Sequence, residues 1–363
     1  MGGYRLIDEA GMLADVLGEL DPALAWALDT EFVRERTYYP RLCLVQVAVG
    51  DGILLVDPLR IGDEALLRRF LAASREPRVV HAARQDVEVL LPLTVEPLSP
   101  LLDTQLAAAL LGFPSQVGYG ELVRQVLGVE LKKGHARTDW AARPLKVEQL
   151  EYAADDVRYL LPVADELQAR LDAAGRLGWL EEECAQLADP GLYRTEPAEA
   201  WRRLKGLDRM RPEERAVACA LAGWREEKAM QRDLPRGWIL PDEALRDVAR
   251  LRPDSASALR RVAGLPGGPA YRLADELLEQ VGLAVRTPPP AAAPATERLT
   301  PEQQAAVRRL QEAVQSVSTE TGINAEVLAT RRDLTAMVRG AREVPPLTGW
   351  RRPVVGERLL AAL

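Results

Sequence analysis

The spacing of apolar and polar residues changes several times along the chain, and each change marks an expected element. Between Leu24 and Phe32 large apolar side chains alternate with small or acidic ones; Arg41 to Val49 is rich in Leu and Val, and Gly50-Asp51-Gly52 turns the chain into Ile53 to Val56. A period of two bounded by turn residues belongs to strands, so residues 1 to about 57 predict a three-stranded antiparallel meander. The period then lengthens. Helix is expected around 62 to 74, a short strand at Arg78 to His81, helix around 84 to 91, a strand near 98 to 102 and helix from Thr104 to Leu111. A long helix from about Pro144 to Ala174 closes this mixed α/β region, with Pro144 in the first turn, where a missing N–H costs nothing.

Beyond residue 195 the strand signals end. One helix is expected from about Arg211 to Arg232, stopping before Pro235, and others after Asp242 and Tyr271. The segment Thr287 to Thr296, TPPPAAAPAT, has the composition of a stiff polyproline linker. A last helical unit follows it. For 363 residues the size of ordinary domains implies two or three, and the pattern divides the chain into 1–195 (α/β), 209–288 (helical) and 297–363 (helical).

Composition narrows the class. With 47% apolar and 28% charged residues, the chain is neither disordered nor fibrous. The cysteines, Cys43, Cys184 and Cys219, lie far apart without metal-ligand spacing, as expected of reduced thiols in a cytoplasmic protein. No secretion signal follows Met1, and no apolar window approaches the roughly 18 residues of a membrane helix, so no membrane association is expected. The net charge of −7 is unevenly placed: −13 over residues 1–200, +4 over 201–286 and +2 over 287–363. This suits an acidic part that meets phosphate through divalent cations and a more basic part that holds nucleic acid by side chains.

Asp29 and Glu31 lie two apart on the first long strand, so the pleat points both from one face, with Leu28, Thr30 and Phe32 on the other. Their repulsion favours a bound cation. On the long helix Tyr152 and Asp156 are four apart and share a face. At about 100° per residue, Asp156 borders the apolar stripe, roughly 80° from its centre, while Asp155 lies close to 180° away and is expected to face water. Asp86 opens a helix just after the strand Arg78 to His81 and supplies a third limb. Asp103, immediately before a helical run, reads as its N-cap and not as a ligand. His81 and His135 are the only histidines, which excludes histidine-rich metal chemistry; His81 is expected to pack or hydrogen-bond at the strand end.

DTEF at 29–32, HAARQDVEVL at 81–90 and YAADD at 152–156 resemble the three motifs of DEDD-family exonucleases, and the tyrosine four residues before the last aspartate marks the Tyr-containing branch. TEFVRERTYYPRLCLVQ, DTQLAAALLG and RTDWAARPL are similar to the ribonuclease D family over about residues 4–190. The resemblance implies a ribonuclease-H-like fold and hydrolysis of terminal phosphodiesters with two divalent metals, Mg²⁺ or Mn²⁺ by the oxygen-only ligands. It implies that Asp29, Glu31 and Asp156 hold the metal that activates water, that Asp29 bridges to a second supported by Asp86, and that Tyr152 orients the nucleophile. Lys132, Lys133, Arg137 and Arg143 crowd the loop before the long helix, and RTDW favours phosphate contact by Arg137 and Arg143.

Residues 209 to about 286 resemble an HRDC domain, the helical module shared by ribonuclease D proteins and RecQ-type helicases, through WREEKAMQRDLPRGWILPDEALRDVARLRP and the GLPGG turn at 264–268. Arg225, Lys228 and Arg232 recur at helical spacing as a basic face able to track a phosphate backbone. Trp224 and Trp238 sit in apolar patterns and are expected in a core. The last unit is expected to be helical and HRDC-like. Together these features imply a monomeric exoribonuclease acting on RNA with a single-stranded 3′ end, transfer-RNA precursors by resemblance. The alternatives are a DNA exonuclease in repair and a non-catalytic nucleic-acid-binding protein.

Overall fold

The computed structural model describes residues 3–94, 98–132, 138–262, 265, 273–286 and 299–363. Strands β1 (Tyr4–Ile7), β2 (Trp26–Val33), β3 (Arg41–Val49), β4 (Gly52–Val56), β5 (Arg78–Val80) and β6 (Leu101–Asp103) form one sheet, ordered β1-β4-β3-β2-β5-β6. β3 and β4 pair antiparallel across the turn at Gly50, whose φ of +54° suits a glycine. β1 pairs parallel with β4, and β2 with β5, which pairs parallel with β6. The expected meander is thus present at β2 to β4, but it is the centre of a mixed sheet.

Helices cover both faces. The period of two divides β2 and β3 between two cores: Trp26, Leu28, Val45 and Val47 meet one, Ala27, Leu44 and Ala48 the other. The first core is completed by α1 (Ala10–Glu19), α2 (Pro58–Ile61), α3 (Glu64–Leu71) and α4 (Arg84–Leu90), with the Phe70 ring tilted 40° against Trp26 at a centroid distance of 5.1 Å. The second takes α5 (Thr104–Leu110), α6 (Tyr119–Leu127), α7 (Val147–Arg158), α8 (Leu160–Ala173) and α9 (Leu177–Ala188). β1, α1, α2, α6 and α9 are absent from the sequence reading. In α1, Met12, Leu13, Val16 and Leu17 carry a helical period over too few turns to stand out beside the neighbouring strands.

The single long helix expected from Pro144 to Ala174 is two helices. Pro162 cannot donate to the carbonyl of Arg158 and its ring crowds that carbonyl, so the chain breaks at Tyr159 (φ −111°, ψ 2°). The Tyr119 hydroxyl repairs the break: it accepts from Tyr159 N at 3.2 Å and donates to Asp155 O at 3.1 Å. Pro144 stands outside the helix, which begins at Val147 with Gln149 Oε1 accepting from Lys146 N at 3.0 Å.

By contacts the chain forms two units, one of residues 1–33, 42–193 and 299–363, the other of 34–41 and 194–298. In the second unit α10 (Pro212–Arg232), α11 (Arg236–Ile239), α12 (Asp242–Leu251), α13 (Ala256–Leu259) and α14 (Ala274–Arg286) enclose a core that includes Val217, Leu221, Trp224, Leu245, Val248 and Leu277. The segment 34–41 is built into this unit. Tyr38 O–H donates to Glu226 at 2.5 Å, and Asp233 Oδ1 accepts from the N–H groups of Tyr38 and Tyr39, each at 3.0 Å.

The last helices, α15 (Pro301–Thr321), α16 (Ala325–Leu328), α17 (Arg331–Val338) and α18 (Glu357–Ala362), share the second core of the α/β region. Trp350 stacks on Trp179 with centroids 4.6 Å apart and planes 11° from parallel. Its indole N–H donates to Glu183 at 2.8 Å, and Glu183 also pairs with Arg351. Backbones meet at Gly112 and Gly322, where a Cβ on Gly112 would lie 2.3 Å from Gly322 O, and the Asn324 amide donates to Gly112 O at 3.2 Å. The proline-rich segment Thr287 to Thr296 lies outside the described residues.

Candidate active site

β2 carries Asp29 and Glu31 out of a core that ends at Leu28, on the sheet face that α7 covers. α7 brings Asp156 to them. One carboxylate oxygen from each of Asp29, Glu31 and Asp156 falls within 4.8 Å of the others, and all three residues are half-buried. Tyr152, one turn earlier on α7, hydrogen-bonds Asp156 and packs 6.2 Å from Trp140.

Asp86 reaches β2 from a different side. It sits in the first turn of α4, buried, and accepts from Thr30 Oγ1 at 2.6 Å. Thr30 points opposite to Asp29 and Glu31, so Asp86 stands beside the three-carboxylate group and not within it. Thr30 is the residue that the sequence reading passed over, although DTEF places it between the two acids.

The electrostatics follow from burial and like charge. Burial, then the charges of Asp86, Asp156 and Glu31, pushes Asp29 well above the usual carboxylate range. Burial, then Asp156 and Asp86, pushes Glu31 up to about 8. Burial raises Asp156 to about 7 against the Tyr152 hydrogen bond, and Asp86 to about 7 against that of Thr30. Among the described residues, the charged neighbours that shift Asp29, Glu31 and Asp156 are other carboxylates. An oxygen-only donor set without a basic counter-charge fits a hard divalent cation. Burial and then Asp156 raise the Tyr152 phenol, so it remains protonated at neutral pH.

The neighbouring residues are structural. Asp103 caps α5 through Gln105 N at 2.7 Å and binds Ala82 N and Ala83 N at 3.1 and 2.8 Å. His81 Nε2 donates to Val117 O at 3.0 Å, with Nδ1 2.9 Å from Thr104 Oγ1. Asp155 does not face open water as its helical phase suggests: it is half-buried and pairs with Arg158 at 2.8 Å.

The basic residues fare differently. Arg143, expected on phosphate, is held inside: it grips both Asp57 oxygens at 2.5 and 2.9 Å and donates to Cys43 O at 2.7 Å. Arg137 and Lys133 lie outside the described residues. In the second unit Arg225 is 5% exposed and pairs with Asp242 at 2.6 Å, while Lys228 pairs with Glu276 at 2.5 Å. The expected basic face of Arg225, Lys228 and Arg232 therefore reduces to Arg232, which is exposed. Spacing showed which residues share a side of α10 but not that this side is internal. Trp224 is buried as expected, but Trp238 is 50% exposed because it lies on the outer side of the single-turn helix α11, whose buried residue is Ile239.

Comparison with known proteins places this geometry in a family. Residues 4–172 match the 3′-5′ exonuclease family and residues 214–281 the HRDC domain. Ribonuclease D of Acidiphilium cryptum is 38% identical over 98% of this chain and 92% of its own, and that of Xanthomonas oryzae pv. oryzae 38% over 97% and 96%. The crystal structure of Escherichia coli RNase D, described as an exoribonuclease involved in structured RNA processing, superposes with a TM-score of 0.87 at 34% identity, covering 100% of this chain and 99% of its own. With relatives matched over nearly their full lengths, the chain belongs to the ribonuclease D family of 3′-5′ exoribonucleases.

Proposed function

We propose that this chain shortens RNA from its 3′ end by hydrolysing the terminal phosphodiester at the Asp29, Glu31 and Asp156 cluster, releasing nucleoside 5′-monophosphates. The observation that carries this reading is the convergence of three carboxylates within 4.8 Å, whose charged neighbours among the described residues are further carboxylates. Asp29, Glu31 and Asp156 would hold one Mg²⁺ or Mn²⁺, and Asp29 with Asp86 a second. Such a pair, when bound, activates water, polarises the phosphate and neutralises the leaving 3′-oxygen. The carboxylates give up their protons as they become ligands. Tyr152, protonated, spends its single O–H on Asp156 and would orient the attacking water by accepting a hydrogen bond from it, so it is not the base.

In this reading residues 1–195 cut, the HRDC domain at 209–288 helps to hold RNA, and 297–363, a diverged HRDC-like unit, buttresses the cutting domain. The substrates are RNAs with single-stranded 3′ ends, transfer-RNA precursors among them, an assignment supported by the structured-RNA role named for the Escherichia coli relative. The protein acts as a cytoplasmic monomer; its three cysteines form no disulfide with one another, which suits a reducing compartment. Digestion of matched 5′-labelled RNA and DNA with Mg²⁺, using the native chain and Asp156→Asn, tests this. RNA is expected to shorten stepwise from its 3′ end with the native chain alone. Equal trimming of DNA, or trimming by the variant, overturns the proposal.

A further inference from the structure

Arg78, the first residue of β5, is 6% exposed, and no carboxylate among the described residues pairs with it. Its Nη2 donates to Leu71 O at 3.0 Å, its Nη1 lies at the limit of bonding, 3.5 Å from Ser99 O, and its buried Nε has no acceptor among the described residues. An arginine does not shed its charge at neutral pH, and a buried cation held by neutral carbonyls alone is costly. Among the described residues this guanidinium therefore has no compensating carboxylate.

Arg78 is among the residues that line a cavity of about 460 Å³, within the size range of small-molecule sites, roughly 300 to 1,000 Å³. Arg68 and Arg69 reach the cavity from the last turn of α3. Arg69 has no ion-pair partner among the described residues, and Arg68 has only exposed Glu64 at 3.6 Å. Leu93 and Leu98 form apolar wall, and none of the described lining residues is acidic. The cavity is distinct from the carboxylate cluster. In the parallel β2/β5 pair Arg78 stands opposite Trp26, three residues before Asp29, or about 10 Å along the strand.

We propose that this cavity binds a phosphomonoester of mononucleotide size. Three guanidinium groups suit a dianion better than a single carboxylate; a phosphomonoester carries about −1.5 to −2 charges at neutral pH and accepts paired N–H donors from arginine. The apolar wall suits a heterocyclic body, which inorganic phosphate lacks.

The test is calorimetric titration of the full-length Asp29→Asn protein in chelator, so that no metal retains nucleotide at the carboxylate cluster. The probes are adenosine 5′-monophosphate, ribose 5-phosphate, adenosine and inorganic phosphate. Adenosine monophosphate is expected to bind at least ~10-fold more tightly than adenosine or phosphate, the equivalent of one good charge-assisted contact. Adding Arg69→Ala, an exposed position that spares the fold, is expected to weaken it ~10-fold, and Leu93→Trp, which fills the cavity, to abolish it with the melting temperature retained. Ribose 5-phosphate in between supports recognition of both the phosphate and the base. Equal binding of adenosine monophosphate and phosphate, undetectable binding of both, or binding indifferent to both substitutions overturns the proposal.

Discussion

Replacing Glu31 by Gln should stabilise the metal-free protein while removing its activity. In the folded chain Glu31 is pushed up to about 8 from an ordinary 4.5, so between those values the folded state holds a proton that the unfolded state has released. Stability then falls as pH rises, by about 1.4 kcal/mol per pH unit for one proton. The contribution is complete below about pH 4.5, and about 3 kcal/mol of it is lost by pH 7 from the 2.5 units crossed. Glutamine does not titrate. Allowing for water and for adjustment by Asp29 and Asp156, we expect Glu31→Gln to gain ~1–3 kcal/mol at pH 7, a rise of roughly 2–10 °C in melting temperature. Melting curves in chelator from pH 5 to 8 read this directly, the two proteins diverging as pH rises. Mg²⁺ should then stabilise the native chain more than the variant, because only binding to the folded state adds stability. A variant that melts below the native protein at pH 7.5, with parallel pH curves and equal Mg²⁺ shifts, would refute the account of a repulsive cation site.

Asp156→Asn should lower the hydrolysis rate by at least ~100-fold, whereas Asp155→Asn, which loses only the Arg158 pair, should stay within a few-fold in the same single-turnover assay. Tyr152→Phe should slow cleavage by ~10–100-fold without moving the alkaline limb of the pH–rate profile, since the phenol stays protonated throughout. Arg225→Ala should cost ~1–3 kcal/mol in denaturant unfolding of the second unit, because the buried Leu240 carbonyl loses its donor while half-exposed Asp242 is rehydrated, and the salt dependence of RNA binding by the folded fraction should stay unchanged. Trp350→Ala should cost ~3–5 kcal/mol through loss of a buried aromatic, read as an earlier unfolding transition of the unit that contains Trp179.

The sequence made some of this plain and hid the rest for physical reasons. Strands β2 to β5 and the carboxylates on them were legible because a pleat has one period and Asp29 and Glu31 obey it. The distinction between Asp155 and Asp156 was legible from helical phase, but the degree of exposure was not, since Arg158 folds over Asp155. The split at Tyr159 was available in Pro162 and overlooked because the apolar stripe runs through it. Basic residues were the least legible. Spacing shows which side of a helix Arg225 and Lys228 share, but the carboxylates that claim them, Asp242 and Glu276, come from other helices. Arg143 is the same case, matched by Asp57 86 positions earlier.

The seating of Trp350 on Trp179 has a consequence for synthesis. A ribosome adds roughly 5 to 20 residues per second, so some 10 to 30 s separate the appearance of Trp179 from that of the residue that covers it. Throughout that interval the nascent cutting region carries an uncovered apolar flank, a surface for chaperones to hold. Messages that end early would yield a polypeptide with its acidic residues all present and its core still open, which proteolysis can recognise and clear. Quality control over this nuclease is therefore written into residues 299–363: a part translated well after the cutting region is the part that closes its core.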